Sequence, residues 1–217
     1  TVFRQTAVSA NFARPTTMIK NKDFSMRNII ILLLSSILLD FGCVQNSDQR
    51  KATSQNENIN LPDEIFFQVK TENKDDLEIF EDGIIPWVSL KAPEDEIENL
   101  IEKDKIILPI DSAILIIDYP LNKPIEVIIK PHSPNGFSRE DLIKSISREY
   151  NRIYLEEEES AKTKTIPVEK REGIINRNQT NGKYGIWGHD LGDLDLSSII
   201  VHKKRNGLIK LELYIES

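Results

Sequence analysis

Apolar side chains recur with a helical period from residue 138 to about residue 158. The apolar positions that share one helical face are Leu142, Ile143, Ile146, Tyr150, Ile153 and Tyr154. Ser138, with Asp141 three positions later, approximates a capping box, and Phe137 is placed to pack on Leu142. The pattern therefore predicts a long helix with one face packed on a sheet.

The predicted long helix ends in a run of carboxylates. Residues 156–159 are all glutamates, and they lie where the negative end of the helix dipole disfavours negative charge. We expect this end either to fray or to be capped by a cation. The run is typical of a solvated surface, and recruitment of a basic partner is the alternative.

Short apolar runs rich in β-branched residues predict the strands. The strand candidates are residues 64–69, 77–80, 83–88, 106–119, 125–130, 194–203 and 208–215. The last two are joined through Asn206-Gly207, the strongest short-range hairpin signal, because a type I′ turn needs positive φ at both central positions. A hairpin is therefore predicted at the C-terminal end.

A second, shorter helix is predicted over residues 93–102. Pro93 suits the first helical position, and Ile97, Leu100 and Ile101 form an apolar stripe. Taken together, the elements predict an α+β fold. Its antiparallel or mixed sheet carries two packed helices and ends in a C-terminal β-hairpin.

A different apolar segment lies near the N-terminus. Arg27 precedes an unbroken apolar run over residues 29–39, and Gly42 stands directly before Cys43. Residues 26–42 resemble a bacterial lipoprotein signal peptide, in which the cysteine sulfur is lipidated and becomes the new N-terminus. Asp40 departs from that pattern, because the family's usual Leu stands one place early in this chain.

Other interpretations of the same segment stay open. It fits a conventional cleaved secretory signal without lipid, an uncleaved membrane anchor, or a buried helix. The anchor is disfavoured because a span needs about 20 apolar residues, and Asp40 interrupts this run.

We expect residues 1–25 to be a non-native or disordered upstream extension, 26–42 a signal peptide, 43–60 a polar tether and 61–217 a single α+β domain.

Charge and cysteine content narrow the possible partners. The 217 residues carry 28 basic and 35 acidic side chains, a net charge of -7. Loss of residues 1–42 leaves 23 basic and 33 acidic ones. Such an acidic chain is a poor nucleic-acid binder and is repelled by anionic lipid, so membrane attachment has to come from an anchor.

Since Cys43 is the one cysteine, an internal disulfide and a multi-cysteine zinc site are excluded.

The segment 181–196, NGKYGIWGHDLGDLDL, is the candidate binding loop. Its glycines at every third position fit neither a dinucleotide fingerprint nor a P-loop, so we predict no cofactor. The candidate site residues are Tyr184, Trp187, His189, Asp190, Asp193 and Asp195. The histidine and three carboxylates suit a hard cation such as Ca²⁺ or acid–base chemistry, but they equally suit turn capping and solvent exposure. No serine-hydrolase or zinc-protease motif is present.

The chain from Asp118 onward also resembles an uncharacterised protein family. The phrases that carry the resemblance are DYPLNKP, GFSREDLIKSISREYNRIYLEEE and NGKYGIWGHDLGDLDL. The resemblance implies that this part of the chain is one compact unit, and it implies no activity, substrate or catalytic residue.

The sequence thus predicts a secreted, lipid-anchored protein of the bacterial cell envelope that acts as a binding or interaction module, more readily than as an enzyme. The predicted partners are the membrane, through the anchor, and another protein. A soluble secreted or periplasmic protein is the alternative location. The alternative functions are an envelope enzyme or metal-binding domain using His189, Asp190, Asp193 and Asp195, and an immunity or inhibitor protein whose acidic surface suits a basic toxin.

Overall fold

A computed structural model describes residues 60–173 and 176–217. The predicted extension and signal peptide, and the tether with Cys43 as far as residue 59, lie outside the described residues. Among the described residues, no helix combines the length and the apolar character needed to cross a membrane.

The described residues form an α+β fold of ten strands and two α-helices. The strands are β1 (Glu64–Phe66), β2 (Val69–Lys70), β3 (Ile84–Ile85), β4 (Val88–Ser89), β5 (Ile106–Leu108), β6 (Ala113–Ile117), β7 (Ile125–Ile129), β8 (Phe137–Ser138), β9 (Asp195–Lys203) and β10 (Ile209–Glu216). The helices are α1 (Lys74–Leu77) and α2 (Arg139–Ser160). Short 3₁₀ turns occupy Pro93–Asp95, Ile97–Asn99, Val168–Lys170 and Leu191–Asp193.

The main sheet is mixed, as predicted. Its strand order is β1-β9-β10-β6-β7, and β4 pairs with β9 as well. Strands β10 and β6 run parallel, whereas the other pairs in this sheet are antiparallel. Two further pairs, β2-β3 and β5-β8, form small separate sheets. The predicted fold class, an α+β fold with an antiparallel or mixed sheet, two helices and a C-terminal hairpin, is confirmed, although the shorter helix lies at Lys74–Leu77 and not at residues 93–102.

The hairpin of β9 and β10 has a wider turn than the sequence predicts. The Lys204 N–H donates to the Leu208 carbonyl at 2.9 Å, and the Gly207 N–H donates to the Lys204 carbonyl at 2.9 Å. Gly207 has a φ of +82°. Asn206 does not have a positive φ, because Glu102 is the one non-glycine residue with positive φ among those described. Asn206 is therefore not left-handed. The arrangement fits a longer loop with a single left-handed glycine instead of a type I′ turn.

Two local predictions were wrong, the first because a distant contact outweighed local preference and the second because a local side-chain cap starts a short helix. The stretch 93–102 forms two 3₁₀ turns, since the chain then extends and the Ile101 N–H donates to the Gln68 carbonyl at 2.9 Å. The predicted strand at 77–80 is also absent. Helix α1 ends there, and the Asn73 side chain caps its start by accepting from the Asp75 N–H at 2.9 Å.

Helix α2 begins where its capping box predicts. The Asp141 N–H donates to Ser138 Oγ at 3.1 Å, and the Ser138 N–H donates to Asp141 Oδ2 at 3.4 Å. The buried side chains along the helix are Leu142, Ile143, Ser145, Ile146, Ser147, Tyr150, Ile153 and Glu157. The apolar members confirm the predicted face, and Glu157 is an acidic side chain buried in line with them.

The sheet has one covered face and one open face. Leu115, Leu211 and Val201 lie opposite one another across β6, β10 and β9, and all three belong to the core. On the other face, Phe66 and Tyr214 both lie opposite Ser198, and they are 55% and 62% exposed. The core therefore lies on one side of the main sheet.

Replacing the N-cap of α2 by Ser138→Ala is expected to lower the free energy of unfolding by about 1 kcal/mol. The substitution removes the acceptor for the Asp141 N–H and leaves that donor without its partner. Urea unfolding followed by circular dichroism measures the change. Ser112→Ala is the matched control, because the exposed Ser112 hydroxyl donates to its neighbour Asp111, and this substitution should change stability by less than about 0.5 kcal/mol. Equal losses in both variants would contradict the capping role.

Candidate binding loop

Residues 181–190, here called the glycine loop, are held on both edges like a central strand. On one edge, the Asn122 N–H donates to the Gly185 carbonyl at 3.0 Å, and the Trp187 N–H donates to the Pro120 carbonyl at 3.2 Å. On the other edge, the Thr180 N–H donates to the Ile186 carbonyl at 2.9 Å. The loop is therefore fixed by backbone hydrogen bonds although it lacks regular structure.

The buried carboxylate of Glu157 holds the start of the glycine loop. Glu157 lies near the C-terminal end of α2 and is 0% exposed. Its Oε1 accepts from the Gly182 N–H at 2.7 Å, while Oε2 accepts from the Tyr184 N–H at 2.7 Å and the Gly185 N–H at 3.0 Å. One carboxylate thus satisfies three backbone donors of a buried turn.

The surroundings of Glu157 favour its ionised form. Burial by itself would raise the pKa of this carboxyl, but the nearby Thr180 hydroxyl and the hydrogen bonds from the backbone N–H groups of Tyr184, Gly182 and Gly185 outweigh burial and lower the pKa below its usual value. Glu157 is therefore a charged, buried side chain that has no ion-pair partner among the residues described, and the loop backbone takes the place of a counter-ion.

Gly182 is required by this close approach. A Cβ at position 182 would lie 2.7 Å from the Glu157 carbonyl oxygen and 2.8 Å from the Glu157 carboxyl carbon. Both distances are shorter than real contacts, and the first is to backbone. The glycine therefore lets the chain pass directly over the end of α2.

Cations cap the acidic end of α2, which is one of the two outcomes that the sequence predicts. Lys183 Nζ lies 2.7 Å from Glu156 Oε2, and Arg152 Nη1 lies 2.9 Å from Glu156 Oε1. Hydrogen bonds from Lys183, from the Tyr184 hydroxyl and from Arg152 lower the pKa of Glu156 to about 2. Lys164 Nζ donates to the terminal Glu158 carbonyl of the helix. The helix continues to Ser160 and does not fray at the glutamates.

Two arginines hold the far end of the glycine loop through Asp190. Arg171 makes a two-point contact with this carboxylate, with Nη1 2.7 Å from Oδ2 and Nη2 3.0 Å from Oδ1. Arg177 Nε lies 3.6 Å from the same Oδ1. The Asp190 N–H donates to Asp193 Oδ2 at 2.8 Å, so Asp193 caps the turn that follows. Both aspartates already have protein partners.

The remaining candidate ligands are not assembled into a cation site. Asp195 begins β9 and lies opposite Ser89 of β4. Burial raises the pKa of Asp195, and the negative charges of Glu96, Asp193 and Glu216 raise it further. Within residues 60–173 and 176–217, no group of three or more histidine, cysteine, aspartate or glutamate side chains is placed to hold a metal ion.

The glycine loop presents an aromatic cluster to solvent. The Trp187 ring packs edge-on against Tyr119, with a centroid distance of 5.3 Å, and lies 6.1 Å from the His189 ring. Trp187 is 38% exposed. The Tyr154 hydroxyl fixes the backbone beneath by donating to the His189 carbonyl at 2.9 Å. Tyr184, by contrast, is 2% exposed and serves as a support.

The structure thus divides the six predicted site residues into two groups. Trp187, which is exposed, and the half-buried His189 form the aromatic surface. Tyr184, Asp190 and Asp193 hold the loop, although Asp193 is itself exposed, and Asp195 begins β9. Sequence reasoning missed Tyr119, Glu157 and the two arginines. One feature of the sequence points to Glu157 and its surroundings. Four consecutive glutamates at the C-terminal end of a helix need partners that offset their charge.

No family model, curated protein or solved structure matches this chain. The resemblance to an uncharacterised family, seen in the phrases quoted above, stays a prediction.

Replacing the buried carboxylate by Glu157→Gln is expected to lower the free energy of unfolding by about 2 kcal/mol or more at pH 7. Glutamine keeps the size of the side chain, but its NH₂ group cannot accept hydrogen bonds from the backbone N–H groups. The substitution also removes the negative charge that strengthens those hydrogen bonds. Urea unfolding over a range of pH measures the effect. Because the folded pKa is lowered, the advantage of wild type is complete above the unfolded pKa of about 4.3 and declines as pH falls through the folded pKa.

Glu159→Gln is the matched control, because it makes the same charge change at an exposed position of the same run. It should change stability by less than about 0.5 kcal/mol. Equal effects of the two substitutions, or a Glu157→Gln deficit that grows as the solution is acidified, would contradict the role given to this carboxylate.

Proposed function

We propose that this protein is exported to the bacterial cell envelope, is anchored there through a lipid on Cys43, and binds another protein through the aromatic face of the glycine loop. The observation that carries the binding proposal is the combination of a rigid support with an exposed tip. Glu157 and the Asp190 ion pairs fix the loop, and Trp187 remains 38% exposed.

A fixed aromatic side chain is well suited to protein recognition. Trp is enriched among the residues that dominate binding energy, and a group that is already ordered loses little conformational entropy when a partner docks. Tyr119 and His189 pack beside Trp187 and extend the apolar surface with polar tips. This arrangement favours a partner with a shallow apolar pocket that receives the indole.

A binding module agrees with the chemistry of the acidic side chains better than a metal enzyme does. The Asp190 oxygens face two guanidinium groups, and an Asp193 oxygen accepts a backbone N–H. A cation would have to displace those partners. An inhibitor of a basic protein is one form of such a module, since the chain has a net charge of -7.

The location is proposed from the sequence. Residues 26–42 have the charged, apolar and small-residue parts of a signal peptide, and the one cysteine follows directly. The polar residues between Cys43 and the described domain suit a solvated tether. Lipidation would supply the membrane attachment that an acidic domain does not.

A photoreactive benzoylphenylalanine at position 187, introduced into the full chain in its native host, is expected to give a discrete cross-linked protein adduct. The same probe at position 214 is the matched control. Tyr214 is also an exposed aromatic residue, at 62%, but it lies on the open sheet face. Immunoblotting and mass spectrometry identify the adducts. No adduct at 187, or the same adducts at both positions, would contradict the proposed binding face.

The anchor is tested separately by the intact mass of the protein recovered from host membranes. We expect a chain that starts at Cys43 and carries added acyl mass. In a Cys43→Ala variant, the acyl mass and the membrane association should both be lost. An unmodified wild-type chain that starts upstream and stays in the soluble fraction would contradict the lipid anchor without affecting the cross-linking test.

A further inference from the structure

A cavity of about 420 Å³ lies on the open face of the main sheet, at the junction of β1 and β4. Both strands pair with the same edge of β9, where Phe66 lies opposite Ser198 and Ser89 lies opposite Asp195. The pairing of β9 with β10 skips Ser197, so β9 bulges between these two contacts, and both Ser197 and Ser198 line the cavity. The volume falls within the range of small-molecule sites, which is roughly 300–1,000 Å³.

Three aromatic side chains line this cavity, namely Phe66, Trp87 and Tyr214. Phe66 and Tyr214 are exposed, so a ligand reaches their rings directly from solvent. Trp87 is half-buried and packs edge-on against Phe80, with a centroid distance of 5.5 Å, and this contact fixes the indole. The negative face of an aromatic ring attracts a cation, and Trp does so most strongly. These walls therefore suit a cationic ligand with apolar substituents.

The charged residues that line the cavity are both acidic. Glu64 Oε1 accepts from the Ser198 hydroxyl at 2.7 Å, and this hydrogen bond holds the carboxylate at the cavity wall. Glu216, the other one, lies opposite Asp195 in the pairing of β10 with β9. Burial raises the pKa of Asp195, and the surrounding negative charges, that of Glu216 among them, raise it further. Negative charge therefore accumulates at this end of the cavity.

Basic side chains around the cavity are engaged elsewhere. Lys91 follows β4, and its side chain lies over Gly192. Other basic residues of β9 and α2 contact acidic or backbone acceptors: Arg139 with Glu102 and the Phe66 carbonyl, Lys203 with Asp63 and the Leu61 carbonyl, and His202 with Glu212. Among the residues that the structure describes, none of these basic side chains lines the cavity. Its aromatic walls thus carry two carboxylates and no positive charge to balance them.

We propose that this cavity binds a small quaternary ammonium compound, with the alkylated cation against the Trp87 and Tyr214 rings and its charge balanced by Glu64 and Glu216. A hard metal ion needs several oxygen ligands, which aromatic walls do not supply. A primary ammonium is strongly hydrated and needs hydrogen-bond acceptors, whereas a quaternary ammonium has no N–H group and is the cation that aromatic walls recognise best. Trp187 does not line this cavity, so the proposal does not depend on the proposed protein partner.

Titration of the full chain with choline chloride, followed by NMR of the indole N–H signals, tests the site. The chain has two tryptophans, and a Trp187→Phe variant assigns their two signals. We expect the Trp87 signal to shift saturably with choline, and the Trp187 signal to change only as it does with sodium chloride at equal ionic strength. Linear shifts of Trp87 that match those with sodium chloride would overturn the proposal. Saturation at Trp187 with none at Trp87 would overturn the location of the site.

Two other ligands test the chemical class. The neutral carbon analogue of choline, in which a tert-butyl group replaces the trimethylammonium group, has the same shape without the charge, and it should bind at least about fivefold more weakly. Equal affinity for this analogue would show an apolar cavity without selectivity for cations and would overturn the proposal. Ethanolamine carries a primary ammonium on the same carbon chain. Tighter binding of ethanolamine than of choline would overturn the assignment to a quaternary cation.

Variants at exposed positions test the walls without disturbing the core. Tyr214→Leu keeps an apolar side chain but removes the ring, and it should weaken choline binding about fivefold, whereas Tyr214→Phe should keep the affinity. Glu216→Gln should also weaken binding. Its matched control is Glu126→Gln, which makes the same charge change at an exposed residue of the same sheet face outside the cavity, and which should change the affinity by less than about twofold. Unchanged affinity in Tyr214→Leu, or equal effects of the two glutamate substitutions, would overturn the proposal.

Discussion

The buried carboxylate of Glu157 is the interaction on which the rest of the site depends. A charged group is expensive to remove from water unless hydrogen bonds replace its hydration. Here three backbone N–H groups of the glycine loop do so, at 2.7, 2.7 and 3.0 Å. The dependence is mutual, because these three buried N–H groups also need acceptors, and the Glu157 carboxylate supplies them. The end of α2 and the loop therefore form one structural unit.

This unit explains how a loop without regular structure presents a fixed surface. Glu157 holds its first half, while Arg171 and Arg177 hold Asp190 at the far end. Between these supports, Trp187 rests on Tyr119 and reaches solvent.

Elements encoded by local pattern were predictable, and elements set by distant contacts were not. Helix α2 followed from its apolar period and from Ser138, and the hairpin followed from Asn206-Gly207. Residues 93–102 instead depend on pairing of Ile101 with Gln68, which no local preference reveals. Glu157 stands in a run of four glutamates and, four residues after Ile153, continues the apolar face of α2, whereas exposed Glu159 does not. The helical period therefore marks its burial, but not the loop backbone that it binds. The Tyr119 and Trp187 rings are brought together because the Trp187 N–H bonds the Pro120 carbonyl. The two residues are far apart in the chain, so no sequence pattern predicts their contact.

The exchange of the Gly182, Tyr184 and Gly185 amide hydrogens, followed by NMR as a function of pH, tests the role of Glu157 most directly. If the carboxylate holds the loop, these three amides are strongly protected at neutral pH. They then lose protection together as the Glu157 carboxyl is protonated, at a pH below the usual range of glutamate. Fast exchange of these amides at neutral pH, or independent behaviour of the three, would contradict the account.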